Sequence, residues 1–123
     1  PDDLYRLRAQ VSVWIADPRV EVILTTGGTG LTGRDRTPEA IGPLLDRRID
    51  GFGELFRQIS FSEIGVSTMA SRAFAGVANA TVIFCLPGSR SACQTGWDHI
   101  IRHQLDAPHQ PCNVALLPRL NEA

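Results

Sequence analysis

The stretch VEVILTTGGTGLTGRDRTP, residues 20–38, decides the fold class of this chain of 123 residues. Its apolar first part, residues 20–25, predicts a short strand of the kind that lies inside a parallel sheet. Four glycines follow within positions 27–33, and Thr37-Pro38 then provides an N-cap and a first helical residue. A strand that continues through a glycine-rich loop into a helix is typical of α/β proteins.

The segments on either side extend this pattern into one domain over residues 1–123. In chain order, the predicted elements are a helix from Asp2 or Asp3 to about Ala16, the strand 20–25, a helix 37–48, a chain break at Gly51-Phe52-Gly53, a helix 54–59, strands 71–77 and 81–86 around a turn at 78–80, and a helix from Ser89 or Ser91 to about Leu105. The helical residues predicted to face the core include Leu55, Phe56, Ile59, Trp97, Ile100, Ile101 and Leu105. This order predicts an α/β fold whose sheet is mostly parallel and includes an antiparallel hairpin.

Composition narrows the functional classes. The formal net charge is −1, which gives no support to non-specific nucleic-acid binding. The sequence shows neither an apolar run long enough to span a bilayer nor a signal-peptide pattern. Cys85, Cys93 and Cys112 are odd in number and lack the short spacing of metal sites, so free thiols in a reducing cytoplasm are the simplest interpretation.

The glycine loop has the properties of an anion site. Bare backbone lets several N–H groups approach an anionic group without obstruction by side chains. Neither the Walker pattern nor the Rossmann fingerprint matches. A second glycine-containing loop, Pro87-Gly88-Ser89, follows the last predicted strand, and the two loops converge on one pocket if the strands are parallel neighbours. The alternative interpretation is that residues 27–33 are a mobile connection.

Acidic residues near these loops suggest phosphate chemistry. Asp35 is able to bind Mg²⁺ that bridges phosphate oxygens, although an ion pair with Arg34 or Arg36 is an alternative. Asp2-Asp3 is more often a helix cap than an acidic site. Ser71-Arg72 is a weaker candidate for contact with a second phosphate.

Taken together, the motifs resemble the molybdopterin-binding domain family over nearly the whole chain. They are TTGGTG at 25–30, GRD at 33–35, TPEA at 37–40, GFGELFR at 51–57, SR at 71–72, AGV at 75–77 and LPGS at 86–89. Segments RAQVS at 8–12, WI at 14–15 and residues 104–113 resemble a bacterial branch that acts in molybdenum cofactor biosynthesis. The family fold is a three-layer α/β/α sandwich, and some members use Mg-ATP to transfer AMP to the terminal phosphate of molybdopterin.

The resemblance implies roles for particular residues of this sequence. The residues implied to bind molybdopterin and its phosphate are Thr26, Gly27, Gly28, Thr29, Gly30, Gly88 and Ser89, with Ser71 and Arg72 as weaker transfers. Asp35 matches the acidic residue needed for adenylyl transfer, acting through Mg²⁺, and Asp2 matches a second acidic residue.

The resemblance also implies an assembly and a longer domain. Family members carry a further strand and helix before the segment that begins at Pro1, so we expect the first strand and helix of the domain to be missing from this sequence. A homotrimer or hexamer is expected, with molybdopterin and ATP as partners and neither nucleic acid nor membrane. The function implied is adenylyl transfer to molybdopterin. A non-catalytic molybdopterin carrier and a scaffold role are the alternatives.

Overall fold

The computed structural model describes residues 3–105 of the chain. In chain order, its elements are α1 (Leu4–Ala16), β1 (Val22–Thr26), α2 (Thr37–Ile41), a 3₁₀ turn (Gly42–Leu44), β2 (Arg47–Arg48), α3 (Asp50–Ile64), a second 3₁₀ turn (Gly65–Ala70), β3 (Phe74–Ala78), β4 (Thr81–Leu86), α4 (Arg90–Gly96), a π-helical segment (Trp97–Ile101) and α5 (Arg102–Leu105). No helix within this range is both long and apolar enough to cross a bilayer.

The sheet has the strand order β1-β4-β3-β2 across the described part of the chain. Strand β1 runs parallel to β4, whereas β3 is antiparallel to both β4 and β2. The predicted α/β class and hairpin are confirmed. The sheet within residues 3–105 is mixed rather than mostly parallel, since one of its three strand pairings is parallel and two are antiparallel. The hairpin turns at Asn79 and Ala80, which have φ of 50° and 63° as a two-residue turn between twisted strands requires.

Helices cover both faces of the sheet, so the predicted three-layer arrangement is confirmed. On one face, α1 and α2 pack through Leu4, Val11, Ala40 and Ile41 against Ile23, Phe74, Ala78, Ile83 and Cys85. On the other face, α3 and the π-helical segment pack through Phe52, Phe56, Ile100 and Ile101 against Ala73, Ala75, Val82, Phe84 and Leu86. Trp97 was predicted to join this core, but its residue surface is 41% exposed.

Strand β1 lies at the edge of the sheet that residues 3–105 form. It pairs with β4 along Val22–Thr26, and Leu24 is 47% exposed. The predicted interior position of this strand is therefore not seen among the described residues. The expected additional strand and helix before residue 1 stay a prediction.

The predicted chain break at Gly51-Phe52-Gly53 is wrong, because α3 runs through all three residues. Gly53 serves packing instead: a Cβ there would lie 2.9 Å from the carbonyl oxygen of Ala73, so only glycine lets the helix approach β3 this closely. The apolar face of α3 also differs from the prediction. Phe52 and Phe56 are buried one turn apart, and Leu55, predicted to face inward, is 42% exposed.

The helix predicted over residues 37–48 is much shorter. It ends at Ile41, where Gly42-Pro43 tightens the chain into a 3₁₀ turn, and the unpredicted strand β2 follows. The N-cap position belongs to Arg36 rather than to Thr37. The Thr37 hydroxyl donates instead to the carbonyl oxygen of Gly27, at 2.9 Å.

Two predicted helix starts are confirmed with their capping bonds. Asp3 precedes α1, and its Oδ1 accepts hydrogen bonds from the N–H groups of Tyr5 and Arg6 at 2.8 and 3.1 Å. Ser89 precedes α4, and its Oγ accepts one from the Ala92 N–H at 3.1 Å. Asp3 therefore has a structural role. Asp2 lies outside the described residues.

Candidate anion-binding site

The two predicted loops meet at one end of the sheet. Because β1 and β4 are parallel and Thr26 pairs with Leu86, the loops leave the sheet side by side. The Gly27 N–H donates to the Leu86 carbonyl at 2.8 Å. A Cβ on Gly88 would lie 3.3 Å from the Cα of Gly27, so the two backbones are in close contact. The predicted convergence is confirmed.

A cleft of about 270 Å³ lies between these loops and α3. It is slightly smaller than the roughly 300–1,000 Å³ of typical ligand pockets, a size suited to a phosphate and the group next to it. The predicted residues that line it are Gly28, Thr29, Gly30, Asp35, Ser71, Gly88 and Ser89. Its opposite wall is made by Phe56, Ser60, Ile64, Ser67 and Thr68. Sequence reasoning missed this wall. The four-residue spacing of Phe56, Ser60 and Ile64, which places them on one helix face, was the available signal.

Glycines 27 and 28 give the first loop its shape. Their φ values are 94° and 74°, in the region that side chains disfavour. Thr37 fixes both carbonyl groups, since its hydroxyl binds the oxygen of Gly27 and its N–H binds that of Gly28 at 3.0 Å. A Cβ on Gly28 would lie 2.1 Å from the Thr37 hydroxyl oxygen. Carbonyl oxygens repel an anion, and here they are engaged by the start of α2.

The carboxylate of Asp35 is turned toward its own loop. Its Oδ2 accepts hydrogen bonds from the N–H and the hydroxyl of Thr32, at 3.0 and 2.7 Å. A Cβ on Gly30 would lie 2.7 Å from the same oxygen, so the loop closes only over a glycine. The Thr32 hydroxyl, followed by the N–H groups of Thr32 and Gly30 and by the positive charge of Arg72, lowers the pKa of Asp35. The loop is internally braced and its carboxylate is ionised at neutral pH, which argues against a mobile connection.

Arg72 lies behind the first loop. The backbone N–H of Arg72 donates to the carbonyl oxygen of Thr29, and its side-chain Nε donates to that of Gly30, both at 2.7 Å. Its two terminal nitrogens donate to the carbonyl oxygen of Asp35 and to Oε2 of Glu39. The hydrogen bond from Arg72 lowers the pKa of Glu39. The phosphate contact expected of Arg72 stays a prediction, and its observed contacts hold the loop.

The first loop separates two clefts. The second cleft, of about 210 Å³, is lined by Thr26, Gly27 and Gly28 together with Asp3 and the side chains of Arg34, Arg36 and Thr37. Thr26 and Gly27, predicted to bind the same group as Ser89, thus line the second cleft rather than the first. Gly28 lines both clefts.

Comparison with known proteins identifies this arrangement. A family model described as a probable molybdopterin binding domain matches residues 1–107. The chain belongs to the molybdopterin-binding domain family. It is 60% identical to the molybdenum cofactor biosynthesis protein B of Escherichia coli strain K12 over 112 residues, which cover 91% of this chain and 66% of that protein. The chain thus spans just under two thirds of that relative.

Solved structures of molybdopterin-binding domain proteins agree with the fold. A crystal structure of a molybdenum cofactor biosynthesis protein B matches with a TM-score of 0.85 and 41% identity, over 96% of this chain and 71% of the other. The tungsten cofactor synthesizing protein MoaB from Pyrococcus furiosus matches with a TM-score of 0.71 and 37% identity, over 89% of this chain and 72% of the other. Relatives with this fold thus include proteins named for molybdenum and for tungsten.

The residues of the cleft fit a magnesium ion that arrives with a nucleotide. Mg²⁺ is usually held by one or two carboxylates and by substrate phosphates rather than by an all-protein cage. Asp35 supplies one ionised carboxylate, and Thr29 and Ser89 add oxygen atoms to the same cleft. Within residues 3–105, no group of three or more His, Cys, Asp or Glu side chains gathers to hold a metal.

Proposed function

We propose that this chain binds molybdopterin at the two converging loops and adenylylates its terminal phosphate with Mg-ATP. The observation that carries the proposal is the cleft in which bare backbone of both loops adjoins the ionised Asp35. Backbone N–H groups are suited to a phosphate, and a carboxylate beside them is suited to a magnesium–phosphate complex.

The two clefts support a reaction between two phosphate-bearing molecules. Gly28 lines both clefts, so ligands on either side of the first loop lie close to one another. Adenylyl transfer requires such proximity, because an oxygen of the terminal phosphate attacks the α-phosphorus of ATP. That step forms one phosphoanhydride bond, breaks another and releases pyrophosphate.

Residues of the chain have separate tasks in this proposal. The loops hold and orient the phosphate, and α3 closes the cleft on its far side with Phe56 and Ile64. Asp35 would hold Mg²⁺, which supplies positive charge that offsets the charge on phosphate oxygens. Oriented binding of this kind contributes much of the catalysis in phosphoryl-group chemistry.

The test is pyrophosphate release from protein, Mg-ATP and molybdopterin. We expect Asp35→Asn to reduce kcat by on the order of 100-fold or more, because the substitution removes a charged ligand of the metal. Asp17→Asn is the matched control, since Asp17 caps the far end of α1 and pairs with Arg19. A wild-type protein that binds molybdopterin but releases no pyrophosphate above a heat-inactivated sample would contradict adenylyl transfer.

One observation favours a second candidate function, a carrier that binds molybdopterin without chemistry. Asp35 is already engaged by three hydrogen-bond donors of its own loop, Thr32 providing two and Gly30 one. A carrier would bind molybdopterin equally well with and without ATP, and its affinity would survive Asp35→Asn. Equilibrium dialysis of the wild-type protein and of Asp35→Asn against molybdopterin, with and without ATP, separates the two functions.

We further propose a homotrimeric or hexameric assembly in the cytoplasm. Several apolar side chains around the end of α3 are exposed in the single chain, which supports association; they are Phe61, Ile64, Val66 and Met69. Cys85 and Cys93 are free thiols, in keeping with a reducing compartment. Sedimentation velocity tests the assembly, and a purely monomeric protein at micromolar concentration would contradict it.

A further inference from the structure

We infer that Arg72 is the positioning residue of the first loop and sets the place of Asp35 without touching substrate. Its four contacts reach Thr29, Gly30, Asp35 and Glu39. One residue thus fixes both the glycine segment and the aspartate that closes the loop. The structural inference stands alone, and only its effect on turnover rests on the proposed function.

The geometry requires a guanidinium group. Three nitrogens of one planar side chain donate to three different acceptors, the carbonyl oxygens of Gly30 and Asp35 and the Glu39 carboxylate. A lysine has the same charge but only a single nitrogen on a flexible stem, so it cannot reproduce this fork. Arg72→Lys therefore tests geometry while it keeps the charge.

Arg72 is itself held from the core side. Arg57 on α3 donates from Nη1 to the carbonyl oxygens of Ser71 and Ala73, at 3.2 and 3.0 Å. Ser71 and Ala73 are the chain neighbours of Arg72, so these two hydrogen bonds hold the backbone on either side of it. Gly53 provides the room, because a Cβ there would lie 2.7 Å from a terminal nitrogen of Arg57. The first loop is thereby connected to α3, the helix that forms the opposite wall of the cleft.

The consequence is local control of the cleft. The Asp35 carboxylate is oriented by Thr32, but the peptide that carries Asp35 is held by Arg72. When that hold is lost, the 31–36 part of the loop is free to separate from Gly30. The sheet and the hairpin have their own hydrogen bonds and keep them.

Hydrogen exchange measured by mass spectrometry tests the inference. We expect Arg72→Lys to speed amide exchange in residues 28–36 by about tenfold or more, since it removes charge-assisted hydrogen bonds. Exchange in the hairpin, residues 74–86, stays unchanged. Arg19→Lys is the matched control, because it alters another arginine that is paired with an acidic side chain, here Asp17 at the far end of α1.

Glu39→Gln grades the effect. It removes the ion pair but leaves the contacts to Thr29, Gly30 and Asp35, so the expected increase in exchange is smaller than for Arg72→Lys. Glu39→Gln also keeps the inference testable if Arg72→Lys fails to fold. Unchanged loop exchange in Arg72→Lys, or an equal increase in loop and hairpin, would overturn the positioning role.

Turnover then separates the inference from the proposed function. In the pyrophosphate assay, we expect Arg72→Lys to lower kcat by about tenfold with a smaller change in the KM for ATP, since Asp35 is displaced while most of the loop backbone remains. If the wild-type protein is inactive, the proposed function fails and the exchange result still decides the role of Arg72. Faster loop exchange with unchanged kcat would overturn the link from Arg72 to Asp35.

Discussion

The two loops of the cleft are held in different ways. Both follow parallel strands at the same level, and Gly27 and Gly88 touch. The first loop depends on residues far along the chain, above all Arg72. The second depends on its own helix, where Ser89 caps α4 and Cys93 donates from its sulfur to the Pro87 carbonyl at 3.2 Å.

The difference teaches which part of the site depends on the whole fold. A local cap forms wherever the sequence of the turn and the helix is present. A contact between Arg72 and Asp35 exists only after β3 has taken its place beside β4. Substitutions in the first loop are therefore expected to alter the tertiary structure around it, and those in the second loop to alter one helix end.

The largest expected effect is that of Gly28→Ala. The new methyl group would collide with Thr37, and the alanine would have to adopt a disfavoured φ of 74°. We therefore expect a loss of about 2–3 kcal/mol in the free energy of unfolding. Urea denaturation measures it. Gly33→Ala is the control, since a Cβ on Gly33 meets no atom within 4 Å. Equal stability of the two variants would show that the first loop tolerates side chains and is not fixed by Thr37.

A smaller effect is expected for Ser89→Ala in the second loop. The substitution removes the cap of α4, which typically costs about 1 kcal/mol. Urea denaturation measures the loss in the free energy of unfolding. Hydrogen exchange should be faster for the amides of residues 90–93 and unchanged in the first loop. Ser91→Ala, two residues further on within α4, is the matched control. Loosening of the first loop by Ser89→Ala would contradict the separate support of the two loops.

The smallest expected effect is a difference in acid sensitivity. The pKa values of Asp35 and Glu39 are lowered, through Thr32 and Arg72 respectively. Their stabilisation is therefore present above the ordinary carboxyl pKa of about 4 and is lost as the pH falls through the lowered values.

The second loop, Pro87-Gly88-Ser89, has no titratable side chain. We expect NMR of the amides to show the first loop loosening below about pH 4 before the second changes. Simultaneous loss of both loops on acidification would count against local titration.

Local patterns were sufficient for much of this fold. The strand before the glycine loop, the β3–β4 hairpin and the caps at Asp3 and Ser89 all depend on residues close in sequence. The convergence of the loops also followed, because parallel neighbouring strands end at the same edge. These features placed the two loops that form one side of the cleft, but not the wall on α3.

The remaining features depend on distant partners. Gly53 lies inside a helix because Ala73 of a later segment approaches it, and nothing in GFG itself shows that contact. Thr37 is a residue type that often caps a helix, but here its hydroxyl donates to the Gly27 carbonyl in the first loop. Arg72 was expected at a phosphate, yet its side chain donates to the Glu39 carboxylate and to carbonyls that lie 37 and 42 residues away in sequence.

The contact between Gly27 and Gly88 has a consequence for how such a site changes over evolution. With peptide backbone on both sides, the part of the cleft that would hold a phosphate has few side chains to exchange. Variation in what is recognised must then come from the wall on α3, at positions such as Phe56, Ser60 and Ile64. A change of ligand preference is accordingly expected to map to that helix face rather than to the pair of glycine loops.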